Sequence, residues 1–189
     1  TQDGNSNVYF MPADGGTIAQ LTFFDGSDMV ESWSWDSKWI YFTSGRFNRM
    51  TSFKVSVNGG TPVRMFDNYF NWPHNIIEHP KTKEFIFNTS WESSFASNRK
   101  HYKGDFNPEI ETYNPATKEY KVLTSYNGKD MWPTVDANGN LYYVSDQGNE
   151  EYNLYKFENG KPKQLTAFPE SIKRPRVSAD GSKIVFEKD

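Results

Sequence analysis

The chain contains no cysteine. That excludes a disulfide scaffold and thiolate chemistry, and leaves the redox compartment undetermined. No run approaches the roughly 20 apolar residues of a membrane-spanning helix. Neither sign of charge dominates: 21 Lys+Arg against 24 Asp+Glu leave a net charge of -3. Such a balance argues against a dedicated nucleic-acid binder, which carries a basic face. Helical periodicity is also missing over any useful window. What the chain has is aromatic bulk. Aromatic residues are 17% of its 189 positions, against 35% for all hydrophobic residues. At a mean hydropathy of -0.82 that content opposes disorder. The length allows a buried core without staples, and Trp, Tyr and Phe in short runs favour strands.

The first residues, Thr1-Gln2-Asp3-Gly4, carry no initiator Met, basic region or apolar stretch of a targeting segment. The last ones, Lys188-Asp189, follow directly on a strand-like run, Lys183-Ile184-Val185-Phe186. A fragment of a longer polypeptide is the expectation.

Two patterns repeat along the chain. The first is a turn followed by an aromatic-rich strand: Trp35-Asp36-Ser37-Lys38-Trp39-Ile40-Tyr41-Phe42, Val135-Asp136-Ala137-Asn138-Gly139-Asn140-Leu141-Tyr142-Tyr143 and Ser178-Ala179-Asp180-Gly181-Ser182-Lys183-Ile184-Val185-Phe186. His79-Pro80-Lys81-Thr82-Lys83-Glu84-Phe85-Ile86-Phe87 is a degenerate copy. Asn-Gly and Asp-Gly pairs signal two-residue hairpins because both central residues need positive φ. The second pattern is a strand, a small turn and a strand ending near Leu-Thr. Its ends are Leu21-Thr22, Met65, Leu123-Thr124 and Leu165-Thr166, spaced about 44, 58 and 42 residues apart. A period near 40–45 with four strands per unit marks a β-propeller blade.

The expected fold is therefore all-β, a β-propeller of four-stranded antiparallel blades with about four blades' worth of strands. The reading is a single propeller segment over 1–189, with a half blade at 1–27, blades at 28–68, 69–128 and 129–170, and a half blade at 171–189. The two halves are complementary. Either they close on each other or each belongs to a larger propeller, and the larger propeller is expected because small rings strain this repeat. Bare sheet edges invite pairing, so an end-to-end homodimer is a further expectation. A sedimentation mass equal to one chain would dismiss it.

The blade pattern resembles the WD-like propeller repeats of the TolB and tricorn-protease type. The resemblance is carried by Trp33-Ser34-Trp35-Asp36-Ser37-Lys38-Trp39-Ile40-Tyr41-Phe42-Thr43-Ser44 and by the Gly15-Gly16 and Gly59-Gly60 turns. The long third blade narrows it. Arg99-Lys100-His101-Tyr102, then Asn107-Pro108-Glu109-Ile110-Glu111-Thr112-Tyr113, Trp132-Pro133 and Asn153-Leu154-Tyr155-Lys156 look like the N-terminal propeller of bacterial tricorn-like serine peptidases. That resemblance implies a segment that binds, gates or channels peptides, with a PDZ domain and the peptidase core downstream. It implies no catalytic residues in this chain and no cofactor, and an exported, periplasmic or secreted protein. The alternatives are a TolB-like periplasmic module that binds a protein partner, and a carbohydrate-handling propeller. Three positions depart from the pattern: Ser37 replaces a turn glycine, Lys81-Thr82-Lys83 replaces Asp-Gly, and Trp91 to Gly104 is an insertion.

Site chemistry is sparse. There is no Gly-x-Ser-x-Gly elbow, and His74, His79 and His101 form no recognisable triad pattern. No His-Glu-x-x-His is present. Asp25, Asp28 and Glu31 lie close enough to consider calcium, but read better as a polar connector. Asp14, Asp36 and Asp180 read as turn residues. Trp33, Trp35, Trp39, Trp72 and Trp132 read as packing between blades. The insertion is the candidate binding element, since loops carry function more often than scaffold strands. Its candidate substrate-binding residues are Trp91, Arg99, Lys100, His101 and Tyr102. Arg99 suits a bidentate contact with a peptide carboxylate.

Overall fold

The computed structural model describes residues 4–47, 49–67, 72–90 and 99–189. All regular structure in them is β, arranged in five antiparallel sheets. The first sheet pairs β1 (Tyr9–Phe10) with β2 (Ala19–Gln20). The second runs β3 (Asp28–Trp33), β4 (Trp39–Phe47), β5 (Arg49–Ser56), β6 (Val63–Arg64). The third runs β7 (His74–Glu78), β8 (Phe85–Asn88), β9 (Ile110–Asn114), β10 (Glu119–Val122). The fourth runs β11 (Asp130–Val135), β12 (Leu141–Ser145), β13 (Asn153–Glu158), β14 (Lys161–Gln164). The last pairs β15 (Ile172–Val177) with β16 (Ile184–Lys188). Strands adjacent in sequence are adjacent in every sheet, the meander expected of propeller blades. β1–β2 and β15–β16 are two-stranded sheets.

The chain divides into two compact units, Thr1–Ile76 and Ile77–Asp189. The first is built on Val8, Leu21, Ile40, Phe42, Phe53 and Val55. The second holds two clusters, one around Met131, Trp132, Val144, Tyr152 and Ile172, the other around Ile86, Ile110, Leu141, Tyr143 and Tyr155. Trp132 is buried, but Trp33 and Trp35 are 46% and 37% exposed. In β3 only Asp28 is fully buried, while Trp33, at its end, packs edge-on against Phe10 of the first sheet, centroids 6.0 Å apart.

The turns explain how the hairpins tolerate irregular sequence. Gly139 and Gly181 take φ of 85° and 72°, but Asn138 and Asp180 before them do not have positive φ, because each glycine closes its turn by donating to the residue three before it, Asp136 and Ser178. Ser37 and Lys83, where the pattern loses its glycine, adopt φ of 59° and 62°. The left-handed turn residue therefore survives without glycine. Asp carboxylates brace these turns. Hydrogen bonds from Ser178 and Ser182 hold the Asp180 carboxyl down to about 2, and Ser34 lowers Asp36 in the same way.

A second device recurs where the chain crosses from one sheet to the next. The amides of Val8, Ile110 and Leu154 donate to the hydroxyls of Thr22, Thr124 and Thr166 at 2.9, 3.0 and 3.0 Å. Each threonine thus satisfies a strand amide that no neighbouring strand reaches. Thr22→Val keeps the side-chain shape and strands the buried Val8 amide. We expect a loss of about 1–3 kcal/mol, read as a lower urea midpoint with an unchanged slope. A midpoint equal to that of the parent would show that the hydroxyl contributes nothing.

Candidate functional site

β11 and β15 each carry a bulge. The pairing register of β11 shifts between Met131 and Thr134, and Trp132 there has φ of 53°. β15 shifts between Lys173 and Arg176, with Arg174 at 49°. Both left-handed residues precede a proline, which restricts them further. Bulges re-aim side chains and gather near binding sites. The β11 bulge puts Trp132 edge-on to Tyr152, centroids 6.3 Å apart.

At the start of β11, before that bulge, a cavity of about 420 Å³ opens beside Asp130. Thr124, Tyr126, Tyr143, Gln147 and Pro162 contribute to its walls. The volume falls within the roughly 300–1,000 Å³ of small-ligand pockets. Asp130 is 1% exposed, and its Oδ1 has no hydrogen-bond partner. An unpaired buried carboxylate oxygen is costly and needs an explanation. Burial pushes the Asp130 carboxyl up to about 7, against hydrogen bonds with Ser145 and Thr124 and with help from the Asp146 charge. Burial likewise raises Glu109 to about 8, opposed by its bond from Thr124 and reinforced by Asp130 and Glu111. Tyr143 is raised as well, and Tyr155 to about 12, both by burial first and the Asp130 charge second. No cation among the described residues offsets either carboxyl shift.

The loop residues lie close by. Asp146 accepts the Lys129 amide on Oδ1 at 2.9 Å and the His101 amide on Oδ2 at 3.2 Å. One carboxylate therefore ties the segment preceding Asp130 to the segment 99–102. His101 is exposed and has φ of 62°. The Arg99 guanidinium lies 4.5 Å from the centroid of the Tyr102 ring, a cation–π contact. Lys100 pairs with Glu151 at 2.5 Å, and Ser171 donates to the same oxygen, Oε2. Those bonds lower Glu151. Four of the five sequence-predicted residues are thus brought together, with Lys100 already engaged. Trp91 lies outside the described residues.

Asp28, Glu31, His79 and His74 have structural partners. Asp28 is paired with Arg46. Glu31 accepts the amides of Asn75 and Ile76. His79 accepts the amides of Lys81 and Thr82 in its turn. His74 is buried, Nδ1 lies 2.6 Å from the Trp72 carbonyl, and desolvation lowers its imidazole to about 4. Among the described residues no group of three or more His, Asp or Glu is placed to hold a metal ion.

Sequence reading overlooked Asp130, Glu109, Tyr126 and Tyr143. A signal was present: Phe24-Asp25-Gly26-Ser27-Asp28 and Tyr126-Asn127-Gly128-Lys129-Asp130 share aromatic, glycine and aspartate at the same offsets. Glu109 also stands where Asn7 and Asn153 stand, each accepting from the threonine described above.

Comparison with known proteins places the fold. A family model described as the tricorn protease N-terminal beta propeller domain matches residues 1–189. An uncharacterised protein of Agrobacterium fabrum is 36% identical over 70 residues, which are 36% of this chain and 24% of that protein. TolB from Acinetobacter baumannii superposes with a TM-score of 0.72 at 24% identity, over 92% of this chain and 41% of TolB. The tricorn protease gives a TM-score of 0.74 at 17% identity, over 96% of this chain and 18% of its own. The chain thus spans under half the length of each of these relatives. The two superpositions speak for the propeller fold.

Proposed function

Because this chain belongs to the tricorn protease N-terminal β-propeller family, we propose that it is a non-catalytic propeller segment that binds and gates peptides for a serine peptidase core carried elsewhere in its parent protein. The observation that carries the reading is the junction at Asp146. There the Arg99–Tyr102 segment, exposed at Arg99 and His101, meets the approach to a recessed, acidic, aromatic cavity. Such a surface offers an extended peptide two complementary grips. Arg99 suits a carboxylate, and the cavity suits a donor or a cation. Gating of this kind needs no covalent chemistry from the propeller. A PDZ domain and peptidase core in the same polypeptide, and export to the periplasm, go with this reading.

Calorimetric titration of the chain with unstructured peptides tests it. Saturable binding is expected, weakened about tenfold when Arg99→Ala and His101→Ala are combined. Unchanged affinity in the double variant would remove the loop from the binding surface. The likeness to TolB favours a second reading, a module that docks a folded protein. On that reading folded partners bind and unstructured peptides do not.

A further inference from the structure

The Asp130 cavity has a filled counterpart in the same chain. Asp28 opens β3 and pairs in register with Ser44 on β4, as Asp130 opens β11 and pairs with Ser145 on β12. The Asp28 amide donates to the Ser6 carbonyl and the Asp130 amide to the Pro108 carbonyl, at 2.7 and 3.0 Å. Two residues beyond each serine, the amides of Arg46 and Gln147 return to the serine hydroxyl, at 3.3 and 3.2 Å. Phe42 stacks on its cross-strand partner Phe53 and Tyr143 on Tyr155, both with centroids 5.9 Å apart. Phe24 and Tyr126 each stand four residues before their aspartate. The two neighbourhoods therefore correspond position by position, and the decisive difference is Arg46 against Gln147.

In the first unit Arg46 fills the space. Its Nη2 donates to Asp28 Oδ2 at 2.5 Å and its Nε to Ser44 Oγ at 3.0 Å. Its Cζ lies 5.0, 5.4 and 5.4 Å from the ring centroids of Phe24, Phe42 and Phe53. The guanidinium is held by a buried carboxylate inside three aromatic walls. In the second unit Gln147 is shorter and uncharged. The aromatic walls are Tyr126 and Tyr143, with Tyr155 stacked behind Tyr143, and a cavity opens where the arginine would lie. Asp28 and Asp130 each keep an unpartnered Oδ1, but only Asp28 has a cation on its other oxygen. Asp146 in place of Gly45 adds negative charge beside it, and Glu109 in place of an asparagine adds a carboxyl that burial keeps protonated near neutrality.

We propose that this cavity receives a guanidinium group, the arginine side chain of a bound peptide, with Asp130 as its ion-pair partner and Tyr126 and Tyr143 as its aromatic walls. The peptide as occupant rests on the peptide-binding reading above; the preference for guanidinium rests on the cage alone. A guanidinium is planar and weakly hydrated, stacks on rings and presents several donors in one plane. An ammonium lacks that shape, so lysine is a poorer fit.

The test titrates the chain with N-acetyl-L-arginine amide, and with three peptides differing only in Arg, Lys or Ala at one position. The arginine amide is expected to bind saturably, and the Arg peptide at least about tenfold tighter than the Ala peptide, with Lys between. Gln147→Arg supplies the guanidinium from within. It should abolish binding of the arginine amide while raising the melting temperature by about 2–4 °C. Asp130→Asn should weaken that binding at least about tenfold. Equal affinity for the Arg and Ala peptides, or arginine-amide binding unchanged by Gln147→Arg, would overturn the proposal and leave the peptide reading standing. Binding of the arginine amide without binding of any peptide would uphold the cavity's chemistry and defeat the peptide reading.

Discussion

Replacing Arg46 with alanine is expected to destabilise the first unit by about 3–5 kcal/mol. The side chain of its partner Asp28 is fully buried, and that of Arg46 is 18% exposed. Removing the guanidinium leaves a carboxylate without its counter-charge, and that desolvation is the larger part of the loss. Three cation–π contacts disappear with it. Arg46→Met with Asp28→Asn removes the charge on both sides and should recover much of the loss. Denaturant unfolding followed by tryptophan fluorescence reads both variants. A loss under about 1 kcal/mol for Arg46→Ala would class the pair with ordinary surface salt bridges, and would weaken the template on which the cavity proposal stands.

Stability should fall as pH rises from about 6.5 to 8. Asp130 and Glu109 keep protons in the native state up to about 7 and about 8. In the unfolded chain both release them in the ordinary carboxylate range, near 4. The native state therefore binds more protons over that interval, and raising the pH disfavours it. His74 acts in the opposite sense. Its native imidazole titrates at about 4, so the unfolded chain takes up the extra proton below about 6.5, and stability falls with acid there. Below 6.5 the two effects oppose each other; above it the carboxyls act alone. The lowered carboxyls of Asp36, Asp136 and Glu151 contribute only at more acidic pH. Allowing for partial exposure of Glu109 and its coupling to Asp130, the fall is on the order of 1–2 kcal/mol. Asp130→Asn removes one proton site and relaxes Glu109, so its profile should be flatter. A wild-type melting temperature that rises between pH 6.5 and 8, or an Asp130→Asn profile parallel to it, would contradict this.

Much of the fold was legible because blade repeats announce themselves through turns. Asn138-Gly139 and Asp180-Gly181 mark hairpins for a steric reason, and the structure puts both glycines at positive φ. Ser37 and Lys83 show the limit of that reasoning. Flanking strand pairs impose the same backbone on residues with a Cβ, so the glycine is sufficient for the turn but not required. The tryptophans show another limit. Burial depends on what packs against a strand, and alternation in β3 does not reveal that Trp33, though packed against Phe10, remains 46% exposed. The Arg99–Tyr102 loop stood out because it interrupts the repeat with charge. Asp130 did not, because one aspartate before a strand looks like any turn residue. Its meaning emerges only when its register partner Ser145 is matched to Ser44, and Gln147 is seen where Arg46 should be.

On the proposed function, this propeller segment grips peptides through the surface joined at Asp146. Calorimetric titration of the chain with an unstructured arginine-containing peptide tests it most directly. Saturable binding is expected, and Gln147→Arg and the Arg99→Ala/His101→Ala pair should each weaken it. No detectable binding of the peptide, or binding indifferent to both sets of changes, would contradict it.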